Sequence, residues 1–187
     1  MPIDGLTKTQ SDFIEKYLKA PKIGGRKKKA RREEATREFR RFNVNREAVA
    51  RRVEELGDPA VKLLLRGELA RAETLIGSDA SDLHFEDAMA QLAAVNTAVA
   101  DHKRQAAVKE KHALMLARMA EVGQGTPLDN IDDITRLWSF ADTTFESGIR
   151  SNDPARIADA DRALDQLPAL IDAGRPDITG EGRESKA

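Results

Sequence analysis

The sequence predicts an all-α protein, a helical bundle of six or seven helices. Hydrophobic residues make up 40% of the 187-residue chain but aromatic residues only 4%, so Ala, Leu, Val and Ile must build the core. Alanine, leucine, arginine and glutamate favour helices, whereas the residues that suit strands are scarce. No stretch alternates strictly enough between apolar and polar residues to indicate a strand. The length allows one well-buried core or two small helical subdomains that share one, and we expect one structural unit.

Residues 1–25 predict a short N-terminal helix and a hinge. Thr7 and Gln10 have the spacing of a capping box, and the amphipathic stretch that follows predicts a helix over residues 7–19. Pro21 and the glycines at 24 and 25 then indicate a break before the next helix.

A long second helix is predicted by apolar residues that recur at spacings of three and four. They form a narrow seam with Arg46 as its one polar position. The seam residues are Ala35, Phe39, Phe42, Val49, Val53 and Leu56.

Capping residues and prolines mark the starts of the later helices. We expect those starts at Asp58-Pro59, at Ser81 or Asp82, at Thr126-Pro127 and at Asp153-Pro154. Nothing between residues 101 and 122 stops a helix, so the segment there is one bent helix or two abutting helices, which continue one seam.

Three further expectations concern packing and helix ends. Leu64 is expected on the buried face of the helix that starts at Pro59, and Gly148 is expected to end the helix that starts at Thr126-Pro127. Pro168 predicts a kink or a restart near residue 165, because an interior proline removes a backbone donor and clashes with the preceding turn. The helical bundle should therefore occupy residues 26–174, followed by a disordered tail over 175–187.

A shift of 72 residues brings two sets of apolar positions into register, which is consistent with two related three-helix halves, residues 31–100 and 101–174. The paired residues are Leu65 with Leu137, Leu69 with Ala141, Phe85 with Ile157, Ala88 with Ala160, Leu92 with Leu164, Val95 with Leu167 and Val99 with Ile171.

The net charge of −1 conceals a strong asymmetry along the chain. Residues 26–52 hold 12 Lys and Arg against 4 Glu, whereas residues 53–187 hold 15 against 25 acidic residues. Such a basic run is the strongest candidate for an interaction site, with either nucleic acid or an anionic protein as its partner. The candidate contact residues are Arg26, Lys27, Lys28, Lys29, Arg31, Arg32, Arg37, Arg40 and Arg41.

Two interpretations of this run stay open. Phe39 and Phe42 could stack on nucleic-acid bases, or they could belong to the core beneath a solvated basic face. In the second interpretation Glu33 pairs with Arg37, and Glu47 pairs with Arg51. The lone Tyr17 and Trp138 are possible interface anchors.

The sequence gives no sign of a catalytic, cofactor or metal site. There is no cysteine, and no two of the three histidines have the i,i+4 spacing of paired ligands. The serines and glycines match neither a nucleophile elbow nor a phosphate-binding loop. We therefore expect no enzyme activity and no cofactor, although an enzyme on a helical scaffold stays an alternative, because scattered charged residues can meet in three dimensions.

Four features of the sequence carry a family resemblance: the opening "LTKTQSDFIEKYL", the proline and glycine hinge, the "FRRF" of the basic helix, and the helix starts "GDPA" and "NDPA". The chain resembles helical segments of bacterial secreted or phage-derived polymorphic toxins and effectors, over about the first 60 residues. That resemblance implies a spacer or adaptor module without an activity of its own.

The function predicted from the sequence is that of a non-enzymatic helical adaptor. Its partner is expected to be another protein or a second copy of itself, with nucleic-acid binding through residues 26–41 as the alternative. Neither a signal peptide nor a membrane span is visible in the sequence, which predicts a cytoplasmic protein or one exported without a signal.

Overall fold

A computed structural model describes residues 3–19, 25–79, 82–125 and 128–175. These ranges contain six α-helices and no strand, which confirms the all-α prediction. The helices are α1 (Lys8–Lys19), α2 (Gly25–Glu54), α3 (Pro59–Ile76), α4 (Phe85–Val122), α5 (Ile131–Ser151) and α6 (Pro154–Ala173). In this part of the chain no helix combines the length and the apolar character needed to cross a membrane. The hinge predicted at Pro21 and Gly24, and residues 176–187 of the predicted tail, lie outside the described residues.

The chain divides into two compact units between Ala100 and Asp101, a point inside α4. The first unit contains α1, α2, α3 and the N-terminal part of α4. The second contains the C-terminal part of α4 together with α5 and α6. Each unit has its own hydrophobic core.

The core of the first unit is built on the seam of α2. All six apolar seam residues are buried, and the ring of Phe39 meets the edge of Phe85 at a centroid distance of 4.8 Å. The capping box at the start of α1 forms as predicted. The backbone N–H of Gln10 donates to the Thr7 hydroxyl, and the backbone N–H of Thr7 donates to Gln10 Oε1, both at 3.2 Å. Gln10 Nε2 in turn donates to Asn43 on α2, at 2.8 Å, and to Glu73 on α3, at 3.1 Å. Helix α1 is thus fixed to both neighbouring helices by a buried polar contact.

The core of the second unit is formed largely by the close pairing of α5 and α6. Gly148 is buried at the contact, where an added Cβ would lie 3.0 Å from the Ile157 side chain. The tight turn between the two helices contains Asn152, which has a left-handed backbone (φ 50°), and Asp153, which caps α6 through the N–H groups of Ala155 and Arg156. The predicted start of α6 at Asp153-Pro154 is therefore found.

The bounds predicted for α5 are wrong at both ends. The helix begins at Ile131 instead of at Thr126-Pro127, two residues outside the described ranges. Contacts with the end of α6 hold the preceding residues in a turn: the Asp129 N–H donates to the Gly174 carbonyl, and Asn130 Nδ2 donates to the Leu170 carbonyl at 2.7 Å. At the other end the helix passes through Gly148 to Ser151, because a buried glycine there permits the approach of α6.

The predicted restart near residue 165 does not occur, and α6 runs from Pro154 to Ala173 with Pro168 inside it. Proline removes one backbone N–H from the helix. Leu164, Leu167 and Ile171 around it are all buried, and their packing supports the helix on both sides of the proline.

Two expectations for α3 and α4 also require correction. Leu64 is 64% exposed and does not belong to the buried face of α3. Helix α4 begins at Phe85 rather than directly after Asp82, whose carboxylate accepts a hydrogen bond from the Leu83 N–H; Ser81, the alternative cap, lies outside the described residues.

Helix α4 is a single helix that contributes to both cores. Its buried residues from Ala88 to Val99 belong to the core of the first unit, and those from Val108 to Met115 belong to the core of the second.

Candidate interaction surface

The first turns of α2 form a strongly basic surface, which we call the basic segment and define as residues 27–32. All residues from 27 to 34 are exposed, and the first buried residue of α2 in the described range is Ala35. Lys28 and Arg31 lie seven and four residues before Ala35, at positions where a continuing seam would carry apolar side chains. The packed part of α2 therefore starts only after the basic segment. The side chain of Arg26 lies outside the described residues.

Helix α1 contacts the C-terminal end of the basic segment. Arg31 donates from Nη1 to the Tyr17 hydroxyl at 3.2 Å, and Arg32 Nη2 lies 3.2 Å from a carboxylate oxygen of Glu15. Both members of the Arg32–Glu15 pair are about half exposed, so water screens this pair and it contributes at most about 1 kcal/mol. The pair positions the guanidinium more than it stabilises the fold.

The remaining arginines of the predicted site follow on the exposed face of α2. Arg40 donates from Nη2 to the backbone carbonyl of Asp4 at 3.0 Å. Arg37 and Arg41 both approach Glu38, at 3.9 and 3.7 Å. The Glu33–Arg37 and Glu47–Arg51 pairs predicted from the sequence are not among the ion pairs of these described residues. A neighbouring carboxylate, Glu38, is closer to Arg37.

An open pocket of about 420 Å³ lies beside this face of α2. Three of the predicted arginines, Arg32, Arg37 and Arg40, line it. The other lining residues are Ile3, Glu33 and Thr36. Ile3 precedes α1, and its N–H donates to the Ser11 hydroxyl at 3.1 Å. The sequence alone gave no sign that the N-terminal residues would complete a pocket with α2.

The two phenylalanines of the basic run cannot stack on bases. Phe39 and Phe42 are both 0% exposed and belong to the core of the first unit. A polyanion bound at this surface would therefore meet cationic side chains rather than aromatic rings from α2.

The two residues considered as interface anchors are both half-buried. Tyr17 packs against the core of the first unit and accepts the hydrogen bond from Arg31. Trp138 stacks on His112 at a centroid distance of 5.2 Å, in the second unit. Tyr17 thus adjoins the basic segment, whereas the described contacts of Trp138 are those of a core residue.

The histidines do not assemble a metal site in the described part of the chain, where no group of three His, Asp or Glu side chains is placed to hold an ion. His112 is 8% exposed, its ring lies between Trp138 and Phe145, and its Nε2 is 2.8 Å from Asp142 Oδ1. His84, which is half-buried, lies 3.6 Å from Asp87 in the first turn of α4. Nothing in the sequence connects His112 with Asp142, which is 30 residues away.

Lys111 forms a cluster with Asp161 and Asp165 that the sequence does not reveal. Its ammonium donates to Asp161 and, at 2.7 Å, to Asp165, both on α6. The hydrogen bonds that the ammonium donates to Asp161, first, and to Asp165 raise the pKa of Lys111 above its usual range. The cluster joins α4 and α6 within the second unit, as does the Arg118–Asp172 pair at 2.7 Å.

The fold and this surface define an all-α chain with a localised basic face. In comparisons with known proteins, no family model, no curated protein and no solved structure matches the chain. The resemblance to toxin-associated helical segments therefore stays a prediction.

Proposed function

We propose that this chain is a non-enzymatic helical interaction module that binds an acidic protein partner through the basic segment and the neighbouring face of α2. The observation that carries the proposal is that residues 27–34 are all exposed, in contrast with the buried seam from Ala35 onward. Five of the six residues from 27 to 32 are cationic. Three of these, Lys27, Lys28 and Lys29, have no carboxylate partner among the described residues.

The apolar seams are not available as the partner surface. Phe39, Phe42, Val49 and Val53 are buried in the core of the first unit. Binding through the basic segment would therefore depend mainly on charge, and should weaken as salt screens it.

The carboxylates beside the cations favour a protein partner over a nucleic-acid backbone. Glu33 and Glu34 directly follow the basic segment, and Glu38 lies between Arg37 and Arg41. A phosphate backbone is negative along its whole length and would be repelled by these three groups. A protein surface offers both signs of charge. The half-buried Tyr17 next to Arg31 adds an amphipathic side chain of the kind common in protein interfaces.

Nucleic-acid binding is the second candidate, because the basic segment presents cations in several directions. Successive residues of a helix point about 100° apart, so the three lysines at 27–29 and the arginines at 31 and 32 do not share one face. A helix that enters a groove of a duplex has phosphates on both sides and could use such a distribution.

Fluorescence anisotropy with two labelled probes, a Glu-rich peptide that also contains lysines and a 20-base-pair DNA duplex, separates the two candidates. We expect the purified chain to bind the peptide. Replacing Lys27, Lys28 and Lys29 together by Gln should weaken that binding at least tenfold. The matched control replaces Lys8, Lys16 and Lys19 of α1 by Gln, which removes the same charge from exposed positions of the same unit and should have little effect.

Equal losses in the two triple variants would show that only net charge matters and would overturn the proposal. Tighter binding of the duplex would favour the second candidate. In that case the slope of log K against log salt should become shallower by about three units when the three lysines are replaced, because each phosphate contact contributes about 0.9.

A further inference from the structure

The pocket lined by Arg32, Arg37 and Arg40 adjoins the basic segment, with which it shares Arg32, but it has a different character. Residues 27–31 are exposed on the outside of the helix, whereas this pocket is an open concavity with an apolar residue, Ile3, in its lining. Such a concave site can select a chemical group, which a convex charged helix cannot do.

Two of the three guanidinium groups are already held in place. Arg32 is paired with Glu15 at 3.2 Å, and Arg40 is bonded to the carbonyl of Asp4 at 3.0 Å. Each of these contacts uses one terminal nitrogen, and a guanidinium has five N–H donors. Both side chains therefore keep donors for a ligand, and ordering them costs less when a ligand arrives.

The charge of the lining fits a dianion. Three arginines and Glu33 give the pocket a formal charge of +2. A phosphate monoester carries about −1.5 to −2 at pH 7, whereas a phosphodiester of a nucleic acid carries −1. Arginine also matches the geometry of phosphate oxygens through paired N–H donors.

We propose that this pocket binds a phosphate monoester, and specifically the phosphorylated side chain of a protein partner. The protein nature of the partner rests on the proposed function. The volume of about 420 Å³ exceeds what a phosphate group alone needs, so the pocket also has room for the carbon atoms that carry the phosphate, with Ile3 beside them.

Titration of the full-length, ¹⁵N-labelled chain with O-phosphoserine, inorganic phosphate and sulfate tests the site. We expect saturable shifts of the backbone amide signals of Ile3 and Thr36 with O-phosphoserine, and weaker binding of sulfate. Serine without the phosphate should produce no shifts.

The decisive variant is Arg37→Gln, because Arg37 lines the pocket and its only described ion pair is the 3.9 Å approach to Glu38. It should weaken O-phosphoserine binding about tenfold or more, which corresponds to about 1.4 kcal/mol. Arg41→Gln is the matched control, since it removes the same charge from the same helix at an exposed residue that does not line the pocket. We expect less than a twofold effect from this control.

Equal effects of Arg37→Gln and Arg41→Gln, or shifts that do not saturate, would overturn the proposal. The proposal would also be overturned, in favour of a nucleic-acid backbone, by tighter binding of a decathymidine strand than of O-phosphoserine. This binding would have to shift the amide signals of Ile3 and Thr36 and show the same dependence on Arg37. If the wild-type chain did not bind O-phosphoserine but did bind the Glu-rich peptide, the pocket would be rejected and the proposed function would stand. The triple lysine variant should retain O-phosphoserine binding, because none of its three residues lines the pocket.

Discussion

The packing of α1 against the end of α3 depends on one glycine, Gly77. This residue is the C-cap of α3 with φ −100° and ψ 16°, a conformation that alanine can also adopt. The ring of Phe13 on α1 lies directly over it: an added Cβ would be only 2.4–2.5 Å from three ring carbons. Gly77→Ala therefore introduces a steric clash with one side chain and no backbone strain.

The size of the effect follows from two opposing contributions. Overpacking of this kind costs about 1 to 3 kcal/mol in free energy of unfolding. Without the ring, Gly→Ala at an allowed φ stabilises by about 0.4 to 1 kcal/mol, because the unfolded chain loses freedom. Gly77→Ala should thus destabilise the wild type and become neutral or stabilising in a Phe13→Ala background. The coupling energy between the two sites should equal the overpacking contribution, about 1 to 3 kcal/mol, because the contribution of the unfolded chain cancels in the cycle.

Urea denaturation followed by far-UV circular dichroism measures the four free energies of this double-mutant cycle. Peptide-level hydrogen exchange should locate the loss of protection in α1. Gly67→Ala is the matched control, because nothing lies within 4 Å of its Cβ position in α3, and it should stabilise the helix by about 0.5 to 1 kcal/mol. If Gly77→Ala destabilised equally with and without the Phe13 ring, the described packing of α1 would be wrong. Since α1 carries Glu15 and Tyr17, the positions of Arg32 and Arg31 would then also be in doubt.

Two further predictions concern stability. Replacing either capping aspartate, Asp58 or Asp153, by Ala should lower the free energy of unfolding by about 1 kcal/mol in urea denaturation, because each carboxylate accepts hydrogen bonds from two N–H groups at a helix start. A loss no larger than that caused by an Ala replacement at another exposed residue would contradict these caps. The raised pKa of Lys111 implies that its contacts with Asp161 and Asp165 stabilise the folded chain while the ammonium is protonated. This stability is fully present below the unfolded-state pKa of about 10.4. It is lost as the pH rises through the higher folded-state pKa. Stability measured from pH 9 to 12 should therefore fall less steeply for Lys111→Met than for the wild type, and identical slopes would show that the cluster does not titrate as described.

Helix starts whose capping partners lie within three residues could be predicted from the sequence. The capping box of Thr7 with Gln10 and the aspartate caps at 58 and 153 are contacts of this local kind. The burial of Phe39 and Phe42 was also predictable, because a seam at spacings of three and four needs only the geometry of one helix.

The errors arise where distant residues decide the local structure. Residues 128–130 form a turn because Asn130 and Asp129 bond to Leu170 and Gly174, about 40 residues away. The pocket at α2 has the same origin, since its shape depends on the contact between Asp4 and Arg40, 36 residues apart. Local propensity contains no information on either contact. The sequence could therefore predict the cations of this surface, but not the concave site that three of them form.

The 72-residue shift that relates the apolar positions of the two halves also relates the starts of two helices. Helices α3 and α5 begin 72 residues apart, at Pro59 and Ile131. The pairs from Ala88 with Ala160 to Val99 with Ile171 are buried throughout. The same shift fails for the first helix of each half, where it places the buried Phe42 on the exposed Leu114.

A shift of 73 residues instead brings Ala35, Phe39 and Phe42 onto Val108, His112 and Met115, and all six of these residues are buried. The second half then has one residue fewer between its first and second helices. Its connection, residues 123–130, is nevertheless longer than the counterpart, residues 55–58, because α4 ends earlier than the corresponding end of α2. We infer a duplication of a three-helix unit followed by the loss of one residue between the first two helices of the second half. Related chains in which the two connections have equal length and one common shift would support it, whereas relatives in which neither shift relates the two buried patterns would refute it.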